Sequence, residues 1–345
     1  MDSFVQENVF YQNIAKFDEI ISNVEISEKR FIENILKENF IITLYTVWES
    51  NIKSILFNHL TTYADTIFTD EFIKMFYRTI LNSTNYVKDR YLDSLTENEI
   101  KITKEYYLST NNLWFDILIE LIQRIYPEAS KENLIKFQKL NTKIQKCIAE
   151  LESSSVEKFS EKNPNPNGLE GYIDSLVNNR NSLAHSGLCS EYVNIDDMKK
   201  FFDFIDNILI LVEMYLKYLY IQRTVDNDKY VNLSKILLES TTTSAKSIVE
   251  ITFNSEQVKV INEKKPLSSE WCVKHDELVY PVQICTIRNE QEESIQELPD
   301  NGHVTLEVQS EYINIRKNKD FQILNLTCFK KDKIEGALKS LAFKF

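Results

Sequence analysis

The hydrophobic pattern of the chain changes its period once, near residue 224, and this change constrains the fold more than any other feature. Up to about Gln222 the apolar residues recur every three or four positions, and beyond it they form short, β-branched, partly alternating runs. Glycine and proline are scarce, with 5 and 6 residues among 345, which favours long helices and argues against a glycine-rich nucleotide loop or a propeller. We therefore predict an α+β chain, in which an all-α helical bundle over residues 1–225 precedes a small β-rich domain over residues 226–345.

Five amphipathic helices are predicted in the first region. The first begins near Ser27, the second is capped by Asp70, the third begins near Ser130, the fourth ends near Gly187, and the fifth begins near residue 196. Each helix has an apolar stripe that needs a partner helix, so we expect an antiparallel bundle. The first helix is predicted to bury Phe31, Ile35, Ile42, Tyr45, Trp48, Ile52 and Ile55, and the third to bury Leu134, Phe137, Leu140, Ile144, Ile148 and Leu151.

The second region is predicted to contain short strands. The sequence from Leu298 to Gly302 is a strong turn signal between two of them, and a short closing helix is predicted at 333–341. The predicted strands are Ser247–Phe253, Gln257–Ile261, Leu278–Ile287, His303–Val308, Tyr312–Arg316 and Gln322–Phe329.

Charge and cysteine content limit the classes of partner and cofactor. With 40 Lys and Arg against 52 Asp and Glu the net charge is −12, so a nucleic acid would have to bind a local basic surface. The 5 cysteines are scattered without a CxxC pair, and we expect no metal site and no cofactor. The chain has no signal-peptide pattern and no apolar segment suited to a membrane, so we expect a cytoplasmic protein. The best candidate surface for RNA phosphates is a lysine stripe on the third helix, formed by Lys136, Lys139, Lys143 and Lys146.

One short segment carries residues suited to catalysis, Arg180-Asn181-Ser182-Leu183-Ala184-His185. A histidine can remove the proton of a ribose 2′-hydroxyl or protonate a leaving oxygen. An arginine can hold the scissile phosphate and stabilise the charge that develops on it, so this pair can cleave RNA without a metal ion. Gly187 is expected to end the helix, which places His185 in its last turn, where the helix dipole favours a cation.

The spacing of the pair predicts a second subunit. Residues five apart on a continuous α-helix are separated by about 140° and roughly 7.5 Å of rise, so Arg180 and His185 do not share a face. A two-fold dimer with this segment at its interface would bring the residues of two chains into one symmetric cleft.

The segment resembles the Rx4–6H signature of the HEPN ribonucleases, including the polar residue after the arginine. The stretch from Tyr45 to Lys53, with its Trp48-Glu49 pair, is similar to the early helix of the RiboL-PSP branch of that superfamily. The resemblance covers about residues 25–222, and it implies a HEPN-like helical bundle, a homodimer and a composite, metal-independent endoribonuclease site. HEPN proteins of this kind commonly act as toxins or antiviral effectors of abortive infection, which implies an antitoxin or defence-system partner.

Several interpretations remain open at this level. Asn181 could orient the arginine or the phosphate, and Glu49 could be an acidic partner of Arg180 or His185, whereas Tyr45 and Trp48 are expected to be core residues. The alternative function is a non-catalytic HEPN-like module that binds RNA or protein in a defence or toxin–antitoxin system. A purely structural helical protein is the third possibility, and no family resemblance was found for the β-rich region.

Overall fold

The structure is a computed structural model, and it contains both helices and sheets. It describes residues 26–67, 72, 74, 78, 100–101, 108, 110, 112–186, 195–224, 231–239, 246–263, 270–275, 278–310, 315, 320–325 and 343–344. The chain divides into two compact units. The first comprises Met1–Lys139, Lys143–Glu213 and Gly336–Phe345, and the second comprises Leu140–Thr142 and Met214–Glu335.

The first unit is built mainly from helices. A pair of two-residue parallel strands, β1 (Ile100–Lys101) and β8 (Phe343–Lys344), belongs to the same unit. The helices predicted to begin near Ser27 and to end near Gly187 are both present, whereas most of the helix predicted after Asp70 lies outside the described residues. The helices are α1 (Ile26–Thr62), α2 (Ala64–Ile67), α3 (Phe115–Gln123), α4 (Lys131–Leu140), α5 (Thr142–Glu152), α6 (Gly168–Ser186) and α7 (Ile195–Thr224), whose last turns belong to the second unit.

The predicted third helix is in fact two helices, α4 and α5, separated at Asn141. The side chains of Asn141 and Thr142 can compete with the helical ladder for backbone hydrogen bonds, which favours a break at this point. The apolar stripe survives the break, because Leu134, Phe137, Ile144, Ile148 and Leu151 are all buried.

The predicted inner face of α1 is correct only in its second half. Tyr45, Trp48, Ile52 and Ile55 are buried, but Ile35 and Ile42 are 40% and 48% exposed. Ile42 lies about 120° around the helix from Trp48, and Ile35 about 140°, so neither belongs to the stripe centred on the tryptophan. Among the side chains that the structure describes in the first half, Phe40, Ile41 and Leu44 pack inward, and the side chain of Phe31 lies outside the described residues.

Three hydrogen bonds fix the chain just before α3. The hydroxyl of Tyr45 accepts the backbone N–H of Leu113 at 3.2 Å, and the indole Nε1 of Trp48 donates to the carbonyl of Leu113 at 3.1 Å. Asp174 of α6 accepts the N–H of Phe115 at 2.8 Å, which satisfies a donor in the first turn of α3. The segment Leu113–Phe115 is therefore held from both α1 and α6.

The first turn of α6 is fixed by a capping arrangement. The side-chain oxygen of Asn167 accepts the N–H of Glu170 at 3.0 Å, as an N-cap residue does. The carboxylate of Glu170, which is buried, accepts bonds from Asn163 and Asn167 and pairs with Lys131 at 2.9 Å. These contacts connect α6 to the loop before it and to α4.

The carboxyl of Asp174 makes the stability of the chain depend on pH. Burial, with the neighbouring charges of Glu170 and Asp116, raises the pKa of Asp174 from 3.8 to about 6 although the N–H of Phe115 lowers it. Because the folded protein binds this proton more tightly, the stabilisation is greatest below about pH 4 and is lost as the pH rises to about 6.

Asp174→Asn is expected to remove this dependence, because an amide still accepts the N–H of Phe115 but carries no charge. The contribution removed is on the order of 3 kcal/mol at most. Thermal unfolding midpoints measured between pH 4 and pH 7 check this. Asp197→Asn is the control, since burial would raise the pKa of Asp197 but hydrogen bonds from Ser155 and Lys200 lower it, so its contribution has the opposite sign. An unchanged pH profile in Asp174→Asn would contradict the assignment.

The second unit contains a closed antiparallel barrel in the spatial order β2-β3-β6-β5-β4-β7. Pairing of β2 with β7 closes it, and alternate residues of β6, Val304, Leu306 and Val308, are buried. The strands are β2 (Val231–Leu238), β3 (Lys246–Thr252), β4 (Trp271–His275), β5 (Leu278–Arg288), β6 (His303–Gln309) and β7 (Gln322–Asn325), and helix α8 (Ser255–Glu263) follows β3.

The sequence prediction for this region needs one correction. Gln257–Ile261, predicted as a strand, lies in α8. The side chain and backbone of Asn254 exchange hydrogen bonds with those of Gln257, at 2.9 and 3.0 Å, in a capping box that starts a helix. Strands β2 and β4 were not predicted, and most of Tyr312–Arg316, residues 326–329 and the predicted helix at 333–341 lie outside the described residues.

The predicted turn before β6 is confirmed. The N–H of Gly302 donates to the carbonyl of Pro299 at 2.8 Å, and its carbonyl accepts the N–H of Phe253 at 3.0 Å. Gly302 has a φ of 66°, and a Cβ atom there would collide with the carbonyl oxygen of Phe253. Only glycine fits this position without strain.

Candidate functional site

Arg180 and His185 lie at the end of α6, which is continuous to Ser186. His185 is in the last turn, as predicted, and its side chain is exposed, whereas Arg180 is half-buried. Because the helix does not break between them, the two residues remain about 140° apart around its axis. One chain therefore does not present both groups on the same face of this helix.

Two neighbours hold the guanidinium of Arg180. Its Nη1 donates to the side-chain oxygen of Asn181 at 3.0 Å, which is the contact that an orienting role for Asn181 requires. Its central carbon lies 5.0 Å from the centre of the Tyr45 ring, within the range of a cation–π interaction. The guanidinium thus has an amide at one edge and an aromatic ring as its support.

Tyr45 is buried, as expected for a core residue, but it also contacts the candidate site. Burial raises the pKa of Tyr45 to about 12; the N–H of Leu113 and the charge of Arg180 lower it, and the charge of Glu49 raises it. The phenol therefore stays neutral at physiological pH. A neutral ring with its hydroxyl held at the far end is a rigid support for a cation.

Glu49 lies one helical turn after Tyr45, and its carboxylate pairs with the ammonium of Lys53 at 2.6 Å. Its charge raises the pKa of Tyr45, the residue whose ring supports Arg180. Both charged side chains of this pair are largely shielded from solvent. Lys53 is thus a partner of Glu49 that the sequence analysis did not identify.

The signal that would have identified these neighbours is their spacing. Tyr45, Glu49 and Lys53 recur at intervals of four residues, which places them along one side of α1. The sequence could indicate that these three side chains are neighbours on one helix. That this side of α1 meets Arg180 follows from the packing of α1 on α6.

The four candidate RNA-binding lysines are all exposed, but the break at Asn141 divides them between two helices. Lys136 and Lys139 lie on α4, and within the described part of the chain neither has an ion-pair partner. Lys143 and Lys146 lie on α5, where Lys146 is 3.6 Å from Glu150. The predicted single stripe is thus two pairs of lysines.

Other features of the described residues are separate from this segment. A groove of about 180 Å³ is lined by Asp116, Lys162 and Asp174 among others, and one of about 410 Å³ lies on the barrel; neither includes Arg180 or His185. In the ranges that the structure describes, no cluster of three or more His, Cys, Asp and Glu side chains is placed to hold a metal ion. None of the described helices has the length and apolar character needed to cross a bilayer.

A helical bundle with an Arg-Asn-x-x-x-His segment at the end of α6 is the arrangement expected of a HEPN protein. The family RiboL-PSP-HEPN matches residues 11–218, well over half of the chain. The chain therefore belongs to the RiboL-PSP-HEPN family, as its resemblance to the HEPN superfamily predicted. Comparison with curated proteins and with solved structures gave no match.

Proposed function

We propose that this protein is a metal-independent endoribonuclease that cleaves single-stranded or looped RNA with Arg180 and His185. The observation that supports this most directly is the exposure of one side chain and the contacts of the other at the end of α6. An exposed imidazole lies in the last helical turn, and a guanidinium is held in place by Asn181 and Tyr45. Family membership adds support, because HEPN domains are often ribonucleases.

The proposed chemistry uses the substrate's own 2′-hydroxyl as the nucleophile. An imidazole removes its proton while the oxygen attacks the adjacent phosphorus, and the bond from phosphorus to the 5′-oxygen breaks. An imidazolium returns a proton to the departing 5′-oxygen, and Arg180 stabilises the charge on the phosphate oxygens. The products carry a 2′,3′-cyclic phosphate and a 5′-hydroxyl.

The proposed site is composite and requires a homodimer. Arg180 and His185 point in different directions from one continuous helix, so a phosphate between them would need one group from each of two chains. A two-fold arrangement of α6 would place Arg180 of each chain opposite His185 of the other, and each such pair would form one site in which His185 serves as base and then as acid.

His185→Ala is expected to lower the RNA cleavage rate by about 10²- to 10⁴-fold, because it removes proton transfer. Cleavage of a labelled single-stranded RNA is measured in the presence of a chelator, and the products are tested for a cyclic phosphate. His303→Ala, on the barrel, is the control for loss of a histidine and should cleave like wild type. Equal activity of His185→Ala and wild type, or no cleavage by wild type under activating conditions, would count against the proposal.

A second experiment tests whether the site is shared between two chains. Arg180→Ala and His185→Ala chains are each expected to be inactive alone, but their co-expression allows a mixed dimer that retains one intact Arg180 opposite one intact His185. Recovery of cleavage in the co-expressed sample would support a shared site. Failure to recover, with mixed dimers demonstrated, would exclude it.

The lysine pair on α4 is proposed to contact RNA phosphates, since Lys136 and Lys139 are exposed and lack ion-pair partners among the described residues. The double variant Lys136→Gln/Lys139→Gln removes both charges and is expected to weaken RNA binding. The slope of log affinity against log salt concentration should fall by about 0.7 for each phosphate that is no longer neutralised. The corresponding change of Lys143 and Lys146 should have a smaller effect, because Lys146 already pairs with Glu150. Lys259→Gln, on α8 of the second unit, is the control, and an unchanged slope in the α4 double variant would contradict the proposed RNA contact.

We further propose a cytoplasmic toxin or antiviral effector of abortive infection, held in check by an antitoxin or a defence-system partner. Expression of the wild-type chain is then expected to slow bacterial growth, and His185→Ala should relieve it. Colony counts after induction, with protein levels matched, measure this. Equal toxicity of both chains would favour the rival proposal, a non-catalytic module that binds RNA or protein. The observation that supports this rival is the separation of Arg180 and His185 on one chain.

A further inference from the structure

The guanidinium of Arg180 rests on a ring that belongs to a different helix. Arginine has a long flexible side chain, so binding of its guanidinium to a phosphate costs conformational entropy. The ring of Tyr45, 5.0 Å from the guanidinium carbon, reduces that freedom in advance. The bond to Asn181 at 3.0 Å limits rotation within the guanidinium plane.

Tyr45 can act as a support because it is itself fixed. Its side chain is 2% exposed, and its hydroxyl accepts the N–H of Leu113 at 3.2 Å. Leu113 is held a second time by Trp48, at its carbonyl. The ring is thus attached at its far end to a backbone segment that α1 and α6 both hold.

The guanidinium keeps its charge available for a ligand. The described contact of Arg180 in the plane of the guanidinium is with the neutral amide of Asn181, and the carboxylate of Glu49 pairs with Lys53. An aromatic ring attracts a cation without neutralising it. This arrangement orients the positive charge but leaves it able to pair with a phosphate.

We propose that Tyr45 is a positioning residue of the ribonuclease site, which holds the guanidinium of Arg180 ready to receive the scissile phosphate. The inference rests on the proposed function and extends it to a residue of α1. The hydroxyl of Tyr45 is secondary in this role, because the guanidinium is supported by the ring.

Three variants test the role of the ring. Tyr45→Phe retains the ring and should cleave RNA within about threefold of wild type, whereas Tyr45→Leu removes it and should lower the single-turnover rate by about 5- to 30-fold. Tyr172→Leu is the matched control, since Tyr172 is an equally buried tyrosine on α6 whose ring lies under a different cation, Lys158, at 5.7 Å. Tyr172→Leu should lose comparable thermal stability but cleave like wild type at a temperature where both variants are folded.

Rescue by phenylalanine separates positioning from general stability, because Tyr45→Phe also loses the bond to Leu113. If Tyr45→Leu cleaves like wild type, or if both leucine variants lose activity equally, the positioning role is overturned while the ribonuclease activity stands.

A second readout does not depend on activity. In ¹⁵N-labelled protein the Nε–H signal of Arg180, assigned by its loss in Arg180→Lys, should show an upfield ring-current shift that Tyr45→Phe retains and Tyr45→Leu abolishes. A wild-type chain that never cleaves RNA would overturn the proposed function, and the same spectra would still decide whether Tyr45 holds Arg180. An unshifted signal in wild type would overturn the positioning role.

Discussion

The first unit depends on the way its chain is held at Leu113–Phe115. Tyr45 and Trp48 satisfy both backbone groups of Leu113, and Asp174 satisfies the N–H of Phe115. A buried backbone group without a partner is costly, so these three bonds specify how α1 and α6 meet as well as where α3 begins. The cost of this arrangement is a buried carboxyl at Asp174, whose pKa lies well above its usual value.

The same arrangement connects the core to the proposed chemistry. Tyr45 uses its hydroxyl to bind Leu113 and its ring to support Arg180, so one side chain belongs to both the packing and the site. His185 has no comparable support among the described residues and is exposed at the helix end. Under the proposed function, the supported Arg180 and the exposed His185 of one chain would form half of a site, which a second chain would complete.

The sequence indicated more of the candidate site than of its surroundings. Arg180, Asn181 and His185 could be proposed because an arginine, a polar residue and a histidine at fixed spacing are a short pattern on one helix. Tyr45 could not be assigned a role in this way, since a buried aromatic residue at helical spacing looks like any core residue. The sequence prediction missed the exposure of Ile35 and Ile42 and the helix break at Asn141. The apolar pattern continues through these positions, and whether a position is buried depends on which other elements of the fold pack against it.

The sequence by itself determined the change from helices to strands, the end of α6, the turn at Gly302 and the family, because each depends on local spacing or on a short motif. It also contained the capping box at Asn254 that makes α8 a helix, although its hydrophobic pattern suggested a strand. Only the tertiary structure decided that β2 and β7 close a barrel and that the ring of Tyr45 meets the guanidinium of Arg180. Both join residues about 90 or more positions apart, and such contacts arise from the packing of whole elements, which no local pattern encodes.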